Sequence, residues 1–332
     1  MSDLARDLDS LAVETSFSGV VRIDEGDRVV FEQAYGLANR SATVRNTLDT
    51  RFGIASGTKG LTALTIASLV EDGSLSLATP ARAVLGDDLL LIPDGVTVDH
   101  LLAHRSGIGD YLDEEQELDF REYLMPVPVH ELATSEQYVV ALDGLPAKFA
   151  AGERFSYCNS GYVVLAIIAE RVSGVPFHDL VVQRVCEPAG LVDTAFPRSD
   201  ELPDRTAVGY LDVDGWRTNV FHLPVRGSGD GGAYATAADV AQLWRALFAG
   251  QIVSPTLLAE LVRPRSSTKS SFPSYGRGFW LDPEAGVVAL VGSDAGVSFA
   301  TQHVPDPGRT ATVISNMTDG AWPLARLLRE RL

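Results

Sequence analysis

The stretch GIASGTKG, residues 53–60, stands between a strand-like segment and a long apolar run, and its reading decides the rest of the chain. A phosphate-binding loop needs Gly and Lys adjacent and a Ser or Thr after the Lys, so that backbone amides cradle phosphate and the hydroxyl reaches magnesium. Here Thr58 separates Gly57 from Lys59, and Gly60 stands where the hydroxyl is required. What remains is a serine three positions before a lysine, Ser56-Gly57-Thr58-Lys59. From residue 56 to residue 70 the pattern is helical and apolar nearly all round (Leu61, Leu64, Ile66, Ala67, Leu69, Val70) and ends at Gly73, which predicts a buried central helix with Ser56 at its start. Positions i and i+3 share a helix face, so hydroxyl and amine can meet. The helix N-terminus favours a developing oxyanion, and burial lowers a lysine pKa until neutral amine can take the serine proton. Ser56 is therefore a candidate nucleophile and Lys59 its candidate base.

A chain of 332 residues exceeds one typical domain and also fits a single catalytic unit with an inserted lobe. Its net charge of −17 argues against nucleic acid and anionic membrane as partners, since both require a basic patch. Two cysteines, Cys158 and Cys186, provide no thiolate cluster for structural zinc and are expected to be free thiols. The first residues, MSDLARDLDSLAVETS, lack the apolar core and small-residue cleavage site of a secretory signal, which gives a cytoplasmic expectation. No apolar run reaches the roughly 20 residues that cross a bilayer, so no membrane span is expected.

Residues 3–13 read as an amphipathic helix, and residues 19–35 alternate apolar and polar around DEGD, which predicts a β-hairpin. From about residue 78 to 198 the signals are mostly helical (VTVDHLLAHRSGI, SEQYVVALDGL, SGYVVLAIIAERVSG, PFHDLVVQRVCEPAGL). TAADVAQLWRALFAG predicts a helix beginning near Thr236. YGRGFWLD, GVVALVGS, VSFATQHVPD and RTATVISNM then read as strands before a last helix over 322–332. The economical arrangement is an antiparallel α/β lobe made of residues 1–77 and 206–332, with a mainly helical lobe of residues 78–205 inserted and the active site between them.

Ser56 and Lys59 gain company in chain order. Tyr157-Cys158-Asn159 follows about a hundred residues later, just before an apolar helix, amid HLLAHRSGIGDY, AGERFSYCNSGY, EPAGLVDTAF and GDGGAYATAADVAQL. Together these segments resemble the serine β-lactamase and penicillin-binding-protein superfamily, especially its class C β-lactamase, D,D-carboxypeptidase and serine esterase branch, whose motifs are Ser-x-x-Lys, Tyr-x-Asn and Lys-Thr-Gly or His-x-Gly. The resemblance runs from about residue 17 onward. It implies the β-lactamase/transpeptidase-like fold, an α+β arrangement with an antiparallel sheet flanked by helices. It also implies that Tyr157 shuttles protons to and from the leaving group and that Asn159 bonds Lys59 or a substrate amide. No cofactor is implied, and the substrate is a small ester, amide or β-lactam.

The third motif departs from the family. Its place is assigned here to Ser293-Asp294-Ala295 in VGSDAGVSF, without cation or glycine, and the oxyanion hole to the backbone amides of Ser56 and Gly296. A cation there would favour a substrate carboxylate, whereas Asp294 repels one, so small esters rank ahead of β-lactams and D-amino-acid peptides. A silent member that only binds ligand in the same cleft is the rival reading.

Other patterns carry less. A second Ser-x-x-Lys, Ser266 to Lys269, has no apolar helix behind it, and its lysine is expected to be a solvated charge. Gly227-x-Gly229-x-x-Gly232 lacks the strand before it and the acid after it that a dinucleotide site requires, and reads as a glycine-rich turn entering a helix. Ser298, in a near miss to a nucleophile elbow, precedes a strand and is expected to be structural. Six histidines show no paired metal motif, and His104 reads as a buried hydrogen-bonding residue, so no metal is implied.

Overall fold

The structure is a computed structural model that describes residues 2–116 and 119–332. Helix α1 (Ser2–Glu14) leads into the hairpin β1 (Gly19–Glu25) and β2 (Arg28–Tyr35). After a short ribbon and the buried helix α2 (Thr58–Glu71), the middle of the chain contributes α3 (Asn159–Ser173) and α4 (Ala237–Phe248). Strands β3 (Ser266–Ser267), β4 (Ser274–Tyr275), β5 (Trp280–Asp282), β6 (Val287–Asp294), β7 (Val297–Val304) and β8 (Arg309–Ser315) follow, then helix α5 (Trp322–Arg331). All eight strands form one sheet in the order β2-β1-β8-β7-β6-β5-β4-β3. Every pairing is antiparallel, and β1 docks on β8 with Val21 opposite Val313. The chain ends thus meet in one sheet.

Both faces of the sheet are covered, which is why six of the seven β1 residues are buried. On one face α1 and α5 pack Leu4, Leu8, Leu324 and Leu328 against Val21, Ile23 and Val313. On the other, α4 and α2 share a core with Val20, Leu290, Phe299 and Ile314. Trp244 of α4 is fully buried and donates its indole N–H to Thr301 Oγ1 at 3.0 Å, so its polar atom stays satisfied. The polar positions Arg22 and Asp24 of β1 do not face water. Arg22 is held by Asp24 at 2.7 Å and Glu32 at 2.5 Å under this helix layer.

Helix α2 is buried at every residue from Thr58 to Leu69, as its all-round apolar pattern predicts. Its threonine hydroxyls are satisfied: Thr65 donates within the helix to the Leu61 carbonyl at 2.9 Å, and Thr62 across to the Gly229 carbonyl at 2.7 Å. The inserted region differs from expectation. Two longer helical stretches lie there, α3 and Phe177–Ala189, the second with a π turn over Val182–Cys186. Ala81–Leu85, Val98–Leu102 and Val139–Leu142 are one turn or little more, with irregular chain between them. Residues of α2 and α3 belong to one continuous core, so α2 joins the two regions instead of closing off the first. Residues 275–282 are two short strands and not one. The chain turns at Gly276 and Gly278, where Gly278 has φ +92° and a Cβ would stand 2.3 Å from Ala63.

Candidate active site

Ser56 is delivered by a backbone bend. Phe52–Gly53 pairs with Tyr234–Ala235, and the chain then enters a single 3₁₀ turn, Ala55–Gly57, closed by Gly57 N–H to the Ile54 carbonyl at 2.8 Å. Ala55 has φ +42°, a strained value for a residue with a Cβ, which the packing on both sides holds in place. Ser56 therefore sits in the 3₁₀ turn before α2 and not in the α-helix itself. It stays partly exposed while its neighbours are buried.

Lys59 is 2% exposed, and its Nζ has three oxygen partners: Ser56 Oγ, Asn159 Oδ1 and the Asp230 carbonyl, each at 2.8 Å. Burial pushes the amine below its usual range. Asp230, Glu114, Asp110 and Asp294 oppose that shift by attraction. The serine and the lysine are thus in direct contact, as their spacing predicts, and Asn159 reaches the same nitrogen from a hundred residues away.

Asn159 is placed by a remote cap. It opens α3, whose preceding residue Cys158 makes no side-chain cap. The Asp110 carboxylate instead accepts the backbone N–H of Asn159 at 2.8 Å and of Ser160 at 2.9 Å. The Asn159 amide donates to the Leu112 carbonyl at 2.9 Å and to Glu114 Oε1 at 3.1 Å, leaving its oxygen for Lys59. Asp110 and Glu114 were not singled out in the sequence. An acidic residue far from a helix becomes its cap only through the tertiary fold.

Tyr157 lies between His104, with centroids 4.3 Å apart, and Trp280, stacked at 5.8 Å and 15°. Lys59 Nζ is 4.8 Å from its ring centroid. Burial, then Glu114 and Tyr275, push the phenol well above its ordinary range, with Ser56 opposing, so it is protonated at neutral pH. His104 is buried and accepts the Cys158 backbone N–H on Nδ1 at 3.1 Å, the hydrogen-bonding role expected of it. Burial holds it neutral.

The third motif requires a correction. A Cβ on Gly292 would stand 2.2 Å from the Ile54 carbonyl oxygen, 2.9 Å from Ser56 N and 3.0 Å from Gly57 N, so this is the point where strand β6 touches the Ser56 turn. The stretch in the motif's place is Leu290-Val291-Gly292, three residues before Ser293-Asp294-Ala295. Its glycine is present, and Leu290, which rests on Gly60, stands where a cation is absent. Gly296 is also displaced from its expected role. It lies in the turn beyond β6, its N–H donates to Thr318 Oγ1 at 3.0 Å, and it packs against Gly209 and Tyr210. Ala295 is buried in the same turn.

The strand amide beside Ser56 is that of Ser293. In an antiparallel ladder, residues alternate between bonding one neighbour and the other. Asp294 closes the turn with Val297, and Gly292 pairs with Phe299, so Ser293 directs its N–H away from β7. On that side β5 pairs only with Val287 to Ala289, leaving the edge at Ser293 open to the cleft.

The cleft at Ser56 encloses about 610 Å³, with Tyr157, Trp280, Val291 and Ser293 on its walls. The second Ser-x-x-Lys also lies here. Ser267, Thr268 and Lys269 form one wall, with Lys269 exposed and unpaired among the described residues. Its copy of the motif is a feature of the cleft that spacing alone gave no reason to place there. Asp294 lines a separate, smaller chamber. The glycines of residues 227–232 serve close approach: Gly227 abuts Gly232, and a Cβ on Gly229 would meet the Tyr162 carbonyl at 2.2 Å. Ser298 is fully buried and donates to the Met317 carbonyl at 2.8 Å, the structural role expected of it. Cys158 and Cys186 are buried free thiols. Among the described residues no His, Cys, Asp and Glu cluster has metal-holding geometry, and no single helix is long and apolar enough to cross a membrane.

A serine hydroxyl on a buried lysine amine, with asparagine on the same nitrogen and tyrosine beside it, defines a serine hydrolase of the acyl-transfer class. The chain belongs to the Beta-lactamase family, whose profile matches residues 5–331. It is similar to a crystal structure of a penicillin binding protein from Bacillus halodurans, with a TM-score of 0.91 and 34% identity over 98% of this chain and 100% of that one. It is 28% identical over 276 residues to the putative penicillin-binding protein PbpX of Bacillus subtilis (strain 168), a match covering 81% of this chain and 63% of that protein. It is also 28% identical over 292 residues to esterase EstB of Burkholderia gladioli, covering 76% of this chain and 71% of that protein.

Proposed function

We propose that the protein forms an acyl-enzyme at Ser56 and cleaves small esters, or amides without a carboxylate beside the scissile bond. The observation that carries this reading is the 2.8 Å contact between Lys59 Nζ and Ser56 Oγ, made inside a buried pocket that favours the neutral amine. Lys59 takes the hydroxyl proton as Ser56 attacks the carbonyl carbon. The amides of Ser56 and Ser293 receive the oxyanion. Tyr157, protonated and next to Lys59, relays that proton to the leaving group. Water then enters, gives its proton along the same route and releases the acid. The ester preference rests on the apolar Leu290 at the cation's place in the strand, and the likeness to EstB is in keeping with it.

A second reading is supported by Lys269. An unpaired ammonium on the cleft wall supplies a positive charge from a loop, which would suit the carboxylate of a β-lactam or a D-amino-acid peptide. Turnover of p-nitrophenyl butyrate and of a chromogenic cephalosporin, by wild type and Ser56→Ala, separates the two. Serine-dependent ester cleavage with little cephalosporin cleavage is expected, and the reverse ratio would select the Lys269 reading. No serine-dependent turnover together with no fluorophosphonate adduct at Ser56 would leave a binding protein.

A further inference from the structure

Helix α5 lies on the sheet with two stripes of side chains. Leu324 and Leu328 fill the core beside Val21 and Val313. The neighbouring stripe, Trp322, Ala325, Arg326 and Arg329, repeats at the three- and four-residue spacing of one helix face and roofs a cavity of about 310 Å³. The floor is a cross-strand row, Val291 of β6 opposite Ala300 of β7 opposite Val313 of β8, with Gln302 opposite Ala311 on the same face. Small residues open this space: Ala300 and Ala311 below and Ala325 above leave room that longer side chains would fill. The third wall is the β3–β4 loop at Ser271 and Phe272. Arg329 clamps that loop, donating to the Ser271 carbonyl and lying 4.4 Å from the centroid of the Phe272 ring, with Asp282 3.6 Å away.

The lining is divided by polarity. Toward Trp322 the walls are the apolar Val291, Ala300 and Val313, whereas toward Arg329 stand Gln302 and Arg326, and no carboxylate is among the described lining residues. In a chain of net charge −17 this is a local reversal of sign. Arg329 is committed to the loop and Asp282, but the exposed Arg326 has no ion-pair partner and the Gln302 amide no hydrogen bond among the described residues. An apolar end and a free guanidinium end suit an amphipathic anion, whose tail leaves water while its head pairs with Arg326. A carboxylate suits the head better than a phosphate dianion, whose second charge would be desolvated against a single free guanidinium. Size sets the tail. From Trp322 to Arg329 the helix rises about 10 Å at 1.5 Å per residue, and the cavity holds about ten water-sized volumes at roughly 30 Å³ each. An unbranched chain of about eight carbons, carboxylate included, matches both measures.

We propose that this cavity is a second ligand site, distinct from the Ser56 cleft, which binds a free medium-chain carboxylate with its head on Arg326 and Gln302 and its tail against Val291 and Trp322. The site does not depend on the hydrolase reading. It does share a wall with the cleft: Val291 lines both, and the β3–β4 loop presents Lys269 to the cleft and Phe272 to the cavity. An occupant would brace from behind the loop that carries Lys269.

The test is calorimetric titration of the full chain at neutral pH with octanoate, hexanoate, 1-octanol and octylammonium. One octanoate should bind per chain with a Kd below about 1 mM. Hexanoate should bind about 10-fold or more weakly, since each buried methylene is worth about fourfold in affinity. Octanol and octylammonium, which leave Arg326 unpaired, should also fall about 10-fold below octanoate. Arg326→Gln, at an exposed position that folding does not depend on, should bring octanoate level with octanol. Ala325→Phe fills the cavity from the roof and should abolish binding with the thermal melt retained; Ala300→Leu fills it from the floor and gives the same readout if Ala325→Phe does not fold. Lys269→Gln alters only the cleft wall and should leave octanoate binding at its wild-type strength. Octanol binding as tightly as octanoate, or no saturable octanoate binding below about 10 mM, overturns the proposal. Binding that Lys269→Gln removes and Arg326→Gln retains overturns it too, by placing octanoate in the cleft. None of these readouts uses turnover, so the hydrolase reading stands or falls separately.

Discussion

Gly292 lies so close to Ser56 that a Cβ on it would stand 2.9 Å from the Ser56 amide nitrogen and closer still to the Ile54 carbonyl. Strand and Ser56 turn touch backbone to backbone, and this contact sets the distance between the amides of Ser56 and Ser293. Gly292→Ala must therefore move β6 away from the turn. The expected result is a fall in kcat of about 10²–10³, the scale of losing one oxyanion donor, with KM little changed. Overpacking should also cost about 1–3 kcal/mol in a urea melt. A variant with wild-type kcat would show that the two amides do not act together.

Lys59 must be neutral to accept a proton, and burial depresses its pKa from the usual 10.5. The sign follows directly: the active form is the deprotonated one, so Ser56 acylation rises as pH climbs through the depressed pKa and then levels. Stopped-flow labelling with a fluorophosphonate should give a midpoint below 10.5. Lys59→Arg substitutes a guanidinium that does not deprotonate in proteins, and labelling should fall by about 10³ or more at every pH. A Lys59→Arg variant that labels at neutral pH would remove Lys59 from its assigned role.

The parts legible in sequence were those written in local pattern. The all-apolar run after Ser56 specified a buried helix, and the i, i+3 spacing put hydroxyl and amine on one side of it. Trp280, Asp110 and Glu114 had no such pattern. Trp280 stacks on Tyr157 only because a turn at Gly276 and Gly278 splits the strand around it, and Asp110 reaches Asn159 across a loop. The third motif was misplaced by three residues for a related reason. Gly292 and Gly296 look alike in the sequence, and only the hairpin register shows that one meets Ser56 and the other closes a turn.

The Asp110 carboxylate connects fold and site, because the two N–H groups it accepts are the first of α3 and one belongs to Asn159. Asp110→Ala leaves these donors unpaired in a buried setting, a cost of about 1–2 kcal/mol by analogy with lost helix caps. It also frees Asn159 to turn from Lys59. Thermal melts should drop, and kcat should fall more than the residual folded fraction accounts for. Asp110→Asn retains one acceptor oxygen and should recover part of both. If kcat tracks only the folded fraction in both variants, Asp110 caps the helix without positioning Asn159.

Asp294 makes the stability of the protein pH-dependent in a defined direction. Its folded pKa of about 7 lies above the usual 3.8, so the folded state holds a proton that the unfolded chain has lost. Below pH 3.8 both states are protonated and the burial of Asp294 carries no charge penalty. As pH rises from there toward 7 the penalty grows, and above 7 it is constant. A shift of this size corresponds to about 4 kcal/mol at 1.36 kcal/mol per pH unit, and partial exposure of Asp294 reduces it to about 2. Asp294→Asn does not ionise. Relative to wild type, the variant should therefore gain about 1–2 kcal/mol between pH 5 and pH 8 in urea melts, with equal m-values. A stability difference that stays constant across that range would mean that Asp294 ionises in the folded protein as it does in water.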